Sequence, residues 1–153
     1  MTDERDGSHA DHRERARVLA DKYAEEAPTE SESPWADREP NPNLVEWLDR
    51  TSPSTHRALK VGCGLGDDVE ELCERGFDVT AFDISPTAIK WCRERFPDST
   101  ATYRVADLFE ASANWRRTFD FVLESYTLQV LPPTKRSDAI GVIADFVRPG
   151  GTL

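Results

Sequence analysis

The sequence predicts an α/β fold, a parallel β-sheet sandwiched by helices. Three observations carry that expectation. From residue 57 onward short apolar runs alternate with amphipathic helices, the pattern of strands buried on both faces and joined by crossovers. The first run closes on Gly62-Cys63-Gly64-Leu65-Gly66, a strand-to-helix turn. An acid, Asp83, ends the second run, at about the twenty-residue spacing at which the next strand of such a unit presents its carboxyl end.

The chain is expected to divide into a disordered tail at 1–10, an N-terminal helical cap and loop at 11–56, and the α/β domain at 57–153. In the cap, Asp11 to Glu26 reads as a charged helix with a thin apolar seam at Val18, Leu19 and Tyr23. Pro, Ser and Glu then mark a loop, interrupted by Trp35, up to the turn signal Asn41-Pro42-Asn43. Leu44 to Arg50 follows as a short helix with Trp47 on its apolar side.

Within the domain, Ala58 to Val61 reads as the first strand. Asp67 to Arg75 has Val69, Leu72 and Cys73 on one helical face, and Gly76 closes it. Phe77 to Phe82 is the second strand, and Ser85-Pro86 supplies the N-cap and first-turn proline of a helix reaching Phe96. Thr102 to Val105 and Phe119 to Leu123 are the third and fourth strands, while Leu108 to Arg117 is too polar and short to predict a helix. Lys135 to Val147 is a helix, and after Arg148-Pro149-Gly150-Gly151 a fifth strand should enter the sheet.

Composition narrows the function. The chain has 153 residues, one domain's worth, with a net charge of -10 and a pI near 4.8. Residues 1–42 hold 12 acids against 6 bases, so the domain itself is only mildly acidic. No Lys/Arg cluster exists to track a phosphate backbone, which argues against nucleic acid. No apolar run approaches a membrane span and no secretory h-region opens the chain, so a cytoplasmic protein is expected. Cys63, Cys73 and Cys92 have no metal-ligand spacing, and His9 and His12 lack companions, so no metal is expected.

The glycine turn and Asp83 together describe a nucleoside site. Glycines let the backbone approach a ligand closely, and a carboxylate at the next strand end can accept both hydroxyls of a ribose. Asp67 and Asp68 stand where a dinucleotide fold would seat a pyrophosphate on the helix N-terminus. Their charge disfavours a nicotinamide dinucleotide and suits a cationic ligand.

The motifs VGCGLG (61–66), AFDIS (81–85), VADLF (105–109), FDFVLESYTLQVLPP (119–133) and RPGG (148–151) resemble the class I S-adenosylmethionine-dependent methyltransferases. The resemblance implies a Rossmann-like sheet and S-adenosyl-L-methionine as cofactor. Gly62, Cys63, Gly64 and Gly66 would lie along its methionine part, Asp83 would hold the ribose, and Ile84 would pack on the adenine. Asp107 would accept the adenine amino hydrogen with Leu108 beside the ring, and Glu124 would face the methionine ammonium. Leu131-Pro132-Pro133-Thr134-Lys135-Arg136 and Trp35 further resemble the thiopurine methyltransferase type, which has a tryptophan in an N-terminal cap; Trp35 reads either as a cofactor-binding lid or as a packing residue. Two positions depart from these patterns: Lys60 replaces a common acid, and Glu124-Ser125 replaces an Asp-Arg pair.

The implied activity is methyl transfer to a small-molecule acceptor, with a thiol or other sulfur or selenium nucleophile as the narrower expectation. No catalytic residue is assigned; Glu124 and Tyr126 are the candidates for a general base. Cys63 reads as a small residue that fits the bend. The competing readings are a nicotinamide-dependent oxidoreductase and a non-catalytic nucleoside-binding module. Because the methyltransferase type has seven strands, the sequence is expected to lack its last ones and to leave the fourth strand with an open edge.

Overall fold

The computed structural model describes residues 38–51, 56–111 and 113–153. The tail, the expected Asp11 to Glu26 helix and Trp35 lie outside the described residues. Five parallel strands, β1 (Arg57–Val61), β2 (Asp78–Asp83), β3 (Thr102–Val105), β4 (Phe119–Glu124) and β5 (Val147–Thr152), are ordered β3-β2-β1-β4-β5. The helices are α1 (Pro42–Thr51), α2 (Asp67–Glu74), α3 (Pro86–Arg95) and α4 (Pro133–Phe146).

β1 is the centre of the sheet and is buried on both faces, with Lys60 its one buried charge. Ala58 and Leu59 are fully buried in separate cores. The first core lies under α1, α2 and α3 and includes Leu48, Leu72 and Ile89; the second includes Val61, Phe82, Ile143 and Phe146. Trp47 stacks on Phe121 at 5.0 Å, which fixes α1 to the first face and gives that tryptophan its structural role. Local signals place the helix ends: the Ser85 hydroxyl accepts the Ala88 amide at 3.2 Å, and Gly76, at φ 91, follows α2.

Three features differ from the sequence expectation. Leu108 to Arg117 forms two 3-10 turns, Leu108–Glu110 and Ala113–Trp115. The segment Arg148-Pro149-Gly150-Gly151 is not a connection but part of β5. The outer side of β4 is therefore paired, Phe119 with Val147 and Phe121 with Thr152 across a bulge, and not open. A proline is tolerated there because β5 is an edge strand. Gly151 is required for the close approach, since a Cβ on it would lie 2.9 Å from the Asp120 carbonyl.

The order places β2 and β3 on one side of β1 and β4 and β5 on the other, so the chain steps outward from β1 to β3 and then crosses back to β4, making a switch point between β1 and β4. Crevices in open α/β sheets form outside the strand carboxyl ends at such a switch point. The glycine turn leaves β1 there.

Candidate functional site

The turn after β1 needs its glycines for three different reasons. Gly62, Gly64 and Gly66 have φ of 61, 53 and 90, in the region that L side chains rarely adopt. A Cβ on Gly62 would collide with the Thr127 hydroxyl, and one on Gly66 would sit 2.7 Å from the Tyr103 hydroxyl. A Cβ on Gly64 would meet nothing within 4 Å. Gly64 is thus the point where the backbone faces open space.

Asp83 closes the turn from below. Its Oδ2 accepts the Gly64 amide at 3.0 Å and its Oδ1 the Ser85 amide at 2.9 Å. Burial pushes its carboxyl above the ordinary range, opposed by those amide hydrogen bonds and by Lys60. A carboxylate has about four acceptor sites, so each oxygen keeps capacity for a further donor. Asp83 is itself buried and shapes the turn, with lone pairs beyond those the two amides use.

The other candidate carboxylates are also held by backbone amides. Asp107 N-caps the first 3-10 turn, its Oδ1 accepting from Phe109 N at 2.9 Å. Glu124 ends β4, and its Oε1 accepts from Thr127 N at 2.9 Å and Leu128 N at 3.0 Å. In each the second oxygen is left for other donors. Ile84 and Asp107 line one open cleft of about 720 Å³ together with Glu110, Asn114 and Trp115. Leu108 does not join them: it turns inward, 7% exposed, to pack in the second core, because the 3-10 turn points it at the sheet.

Cys63 is buried in the turn. The hydrogen bond with Cys92 and burial push its thiol well above the ordinary value, which keeps it protonated and agrees with a packing role. Cys92 in turn donates to the Gly64 carbonyl at 3.1 Å.

The first-turn acids do not form the free acidic rim expected from sequence. Asp67 is engaged by the Arg95 guanidinium through two 3.0 Å hydrogen bonds, while Arg95 also donates to the Leu65 carbonyl at 2.7 Å. Asp68 accepts the Asn41 amide at 2.7 Å and lies 3.9 Å from the buried Lys60 ammonium. Arg95 is 28 residues from Asp67 and Lys60 lies across the turn on β1, so the linear order of the acids alone overstated the local charge. Lys60 donates to Ser125 Oγ at 3.1 Å and to the Val61 carbonyl at 3.3 Å; burial lowers its pKa.

Trp115, to which sequence assigned nothing, is the residue that was missed. It packs on Phe82 at 5.3 Å and edge-on to Phe119 and Phe146, and it walls the Ile84 and Asp107 cleft. A polar surrounding segment hid it. Among the described residues no group of acids, histidines and cysteines could hold a metal ion, and no helix is long and apolar enough to cross a membrane.

A parallel sheet with this order, a glycine turn after β1 and carboxylates ending β2 and β4 is the arrangement of a class I methyltransferase fold. Residues 58–151 match the methyltransferase domain family, and the chain belongs to it. It is 33% identical over 117 residues to a ubiquinone biosynthesis O-methyltransferase of Xanthomonas axonopodis pv. citri, covering 74% of this chain and 48% of the relative. It is 27% identical over 123 residues to thiocyanate methyltransferase 1 of Arabidopsis thaliana, covering 79% and 54%. A structure solved in work on the conversion of a disulfide bond into a thioacetal group during echinomycin biosynthesis superposes with a TM-score of 0.75 at 29% identity, covering 89% of this chain and 57% of that one. The chain spans about half or less of the length of the curated relatives it matches.

Proposed function

We propose that this chain binds S-adenosylmethionine and transfers its methyl group to a small-molecule acceptor. The single observation that carries this is the glycine turn itself: Gly64 at φ 53 faces open space, with Asp83 fixed beneath it and its acceptor sites only partly used. Ile84 and Asp107 would hold the adenine, Asp83 the ribose, and Glu124 Oε2 the ammonium of the amino-acid end. When bound, the cofactor supplies an electrophilic methyl carbon on a sulfonium.

The protein's own contribution is alignment. The carboxylates need no reorganisation because backbone amides already hold Asp83, Asp107 and Glu124 in place. Alignment alone contributes about 7–11 kcal/mol in well-oriented reactions, so a general base is optional.

A sulfur nucleophile is the acceptor class we favour, within a thiopurine methyltransferase-like branch. The names of the thiocyanate methyltransferase relative and of the thioacetal-forming system support it; relatives named O-methyltransferases are counterexamples. A thiol acceptor would need no base from this chain, because its proton can pass to solvent before it meets the methyl carbon that the cofactor would supply. In the Leu131 to Arg136 segment, Arg136 donates to the Leu128, Gln129 and Leu131 carbonyls at 3.1–3.2 Å and sets the loop after β4.

Calorimetric titration tests the cofactor assignment. S-adenosylhomocysteine is expected to bind and NADH not to, and Asp107→Ala is expected to weaken binding about tenfold or more, from one lost charge-assisted hydrogen bond. Heat from NADH alone would favour the oxidoreductase reading. No heat from either would leave only the structural similarity.

A further inference from the structure

The loop after β4 carries a feature that cofactor binding does not use. Tyr126 has φ 64, a conformation that bulky L residues rarely adopt, and its side chain is 68% exposed. Both neighbours are fastened. On one side Ser125 Oγ accepts from the buried Lys60 ammonium at 3.1 Å. On the other, Thr127 donates its amide to Glu124 Oε1 at 2.9 Å and its hydroxyl to the Val61 carbonyl at 3.3 Å, against Gly62.

The two fastenings over-determine the backbone between them and turn an aromatic ring outward at the carboxyl end of β4, one residue from the group that packs on the glycine turn. Nothing in folding rewards this. The ring gains little burial, and a glycine or asparagine would adopt the same backbone at less cost. Strained residues persist where the surrounding structure forces them, and they concentrate at ligand-contacting positions.

We propose that Tyr126 is an acceptor-contacting residue that selects the methyl acceptor through its ring, and that Lys60 is the positioning residue that holds it there. This rests on the methyltransferase reading above. The contact is apolar, so its effect grows with the apolar size of the acceptor; the cofactor end, held by Asp83, Asp107 and Glu124, does not feel it.

The test compares Tyr126→Gly, Tyr126→Asn and Tyr126→Phe with the parent chain. Gly and Asn are expected to raise the thermal midpoint by roughly 2–6 °C through relief of the backbone. With S-adenosylmethionine as donor, both are expected to raise KM for thiophenol about tenfold and for hydrosulfide less than threefold. Affinity for S-adenosylhomocysteine should stay within twofold, and Phe should behave as the parent on both thiols. Lys60→Met, which keeps the buried volume, should reproduce the thiophenol defect, and Lys60→Arg should restore it in part.

A lower midpoint in the Gly and Asn variants, or an equal loss with both thiols, makes Tyr126 a packing residue and overturns the inference while the methyltransferase reading stands. Unchanged KM values do the same. A parent chain that binds S-adenosylhomocysteine yet methylates neither thiol overturns the sulfur acceptor and this inference together. Absence of S-adenosylhomocysteine binding overturns the methyltransferase reading itself.

Discussion

Gly64→Ala and Gly66→Ala are expected to fail in opposite ways, although they stand two residues apart in one turn. Each asks an L residue to hold positive φ, 53 and 90, at a cost of about 1–2 kcal/mol. At Gly66 the new Cβ also meets the Tyr103 hydroxyl at 2.7 Å, Cys92 Sγ at 3.2 Å and the Phe96 ring at 3.4 Å. Tyr103 cannot easily retreat, since its hydroxyl donates to Glu70 at 2.6 Å. Overpacking of that kind adds about 1–3 kcal/mol, for a total of roughly 2–5 kcal/mol. At Gly64 no atom lies within 4 Å, so only the backbone cost applies to folding. The same methyl then protrudes into the space assigned to the cofactor. Urea unfolding of both variants and S-adenosylhomocysteine titration separate the effects. Gly66→Ala should lose most of its stability margin, and Gly64→Ala should keep most of it while binding at least tenfold more weakly. Adding Tyr103→Phe should recover part of the Gly66→Ala loss and none of the Gly64→Ala binding. If Gly64→Ala binds as tightly as the parent, the ligand does not lie against this turn.

Two further outcomes concern the frame around the site. Arg95→Met strands the Asp67 carboxylate and the Leu65 carbonyl; because both side chains keep some exposure, 14% and 17%, the expected loss is about 2 kcal/mol by chemical denaturation, and a change under 0.5 kcal/mol would show the pair to be only a surface contact. Asp120 accepts the Arg57 and His56 amides, is paired with Arg148, and has its carboxyl held below the ordinary range by those interactions. A depressed folded-state pKa contributes stability that is complete above the unfolded carboxylate value and is lost as pH falls through the folded one. Asp120→Asn should therefore lower the thermal midpoint at pH 7 more than at pH 3, and an equal loss at both would remove the charge from the explanation.

The elements were legible where local chemistry decides them. Ser85-Pro86 and Gly76 mark helix ends in sequence and sit at those ends in space. The boundaries that shifted depend on partners. Arg148-Pro149-Gly150-Gly151 has a turn composition and becomes an edge strand only because β4 offers an unpaired side and Gly151 can approach Asp120. Leu108 also packs in the second core, which its sequence position did not show. Trp115 lies in a polar stretch, and its ring contacts are with residues far along the chain.

Charge shows the division most clearly. The sequence by itself determined the α/β order and the glycine turn, because these follow from residue periodicity and from the backbone freedom of glycine, while its motifs carried the resemblance to the family and named the candidate carboxylates. It could not determine which of those carboxylates is free. Only the tertiary structure brought Arg95 to Asp67 and Lys60 to Asp68, neutralising the acids that looked most exposed, and left Glu124, Asp107 and Asp83 fastened by amides with acceptor capacity to spare. The reason is physical. Coulomb and hydrogen-bond energies depend on distances between groups on different elements, and those distances are set by how the helices pack on the sheet.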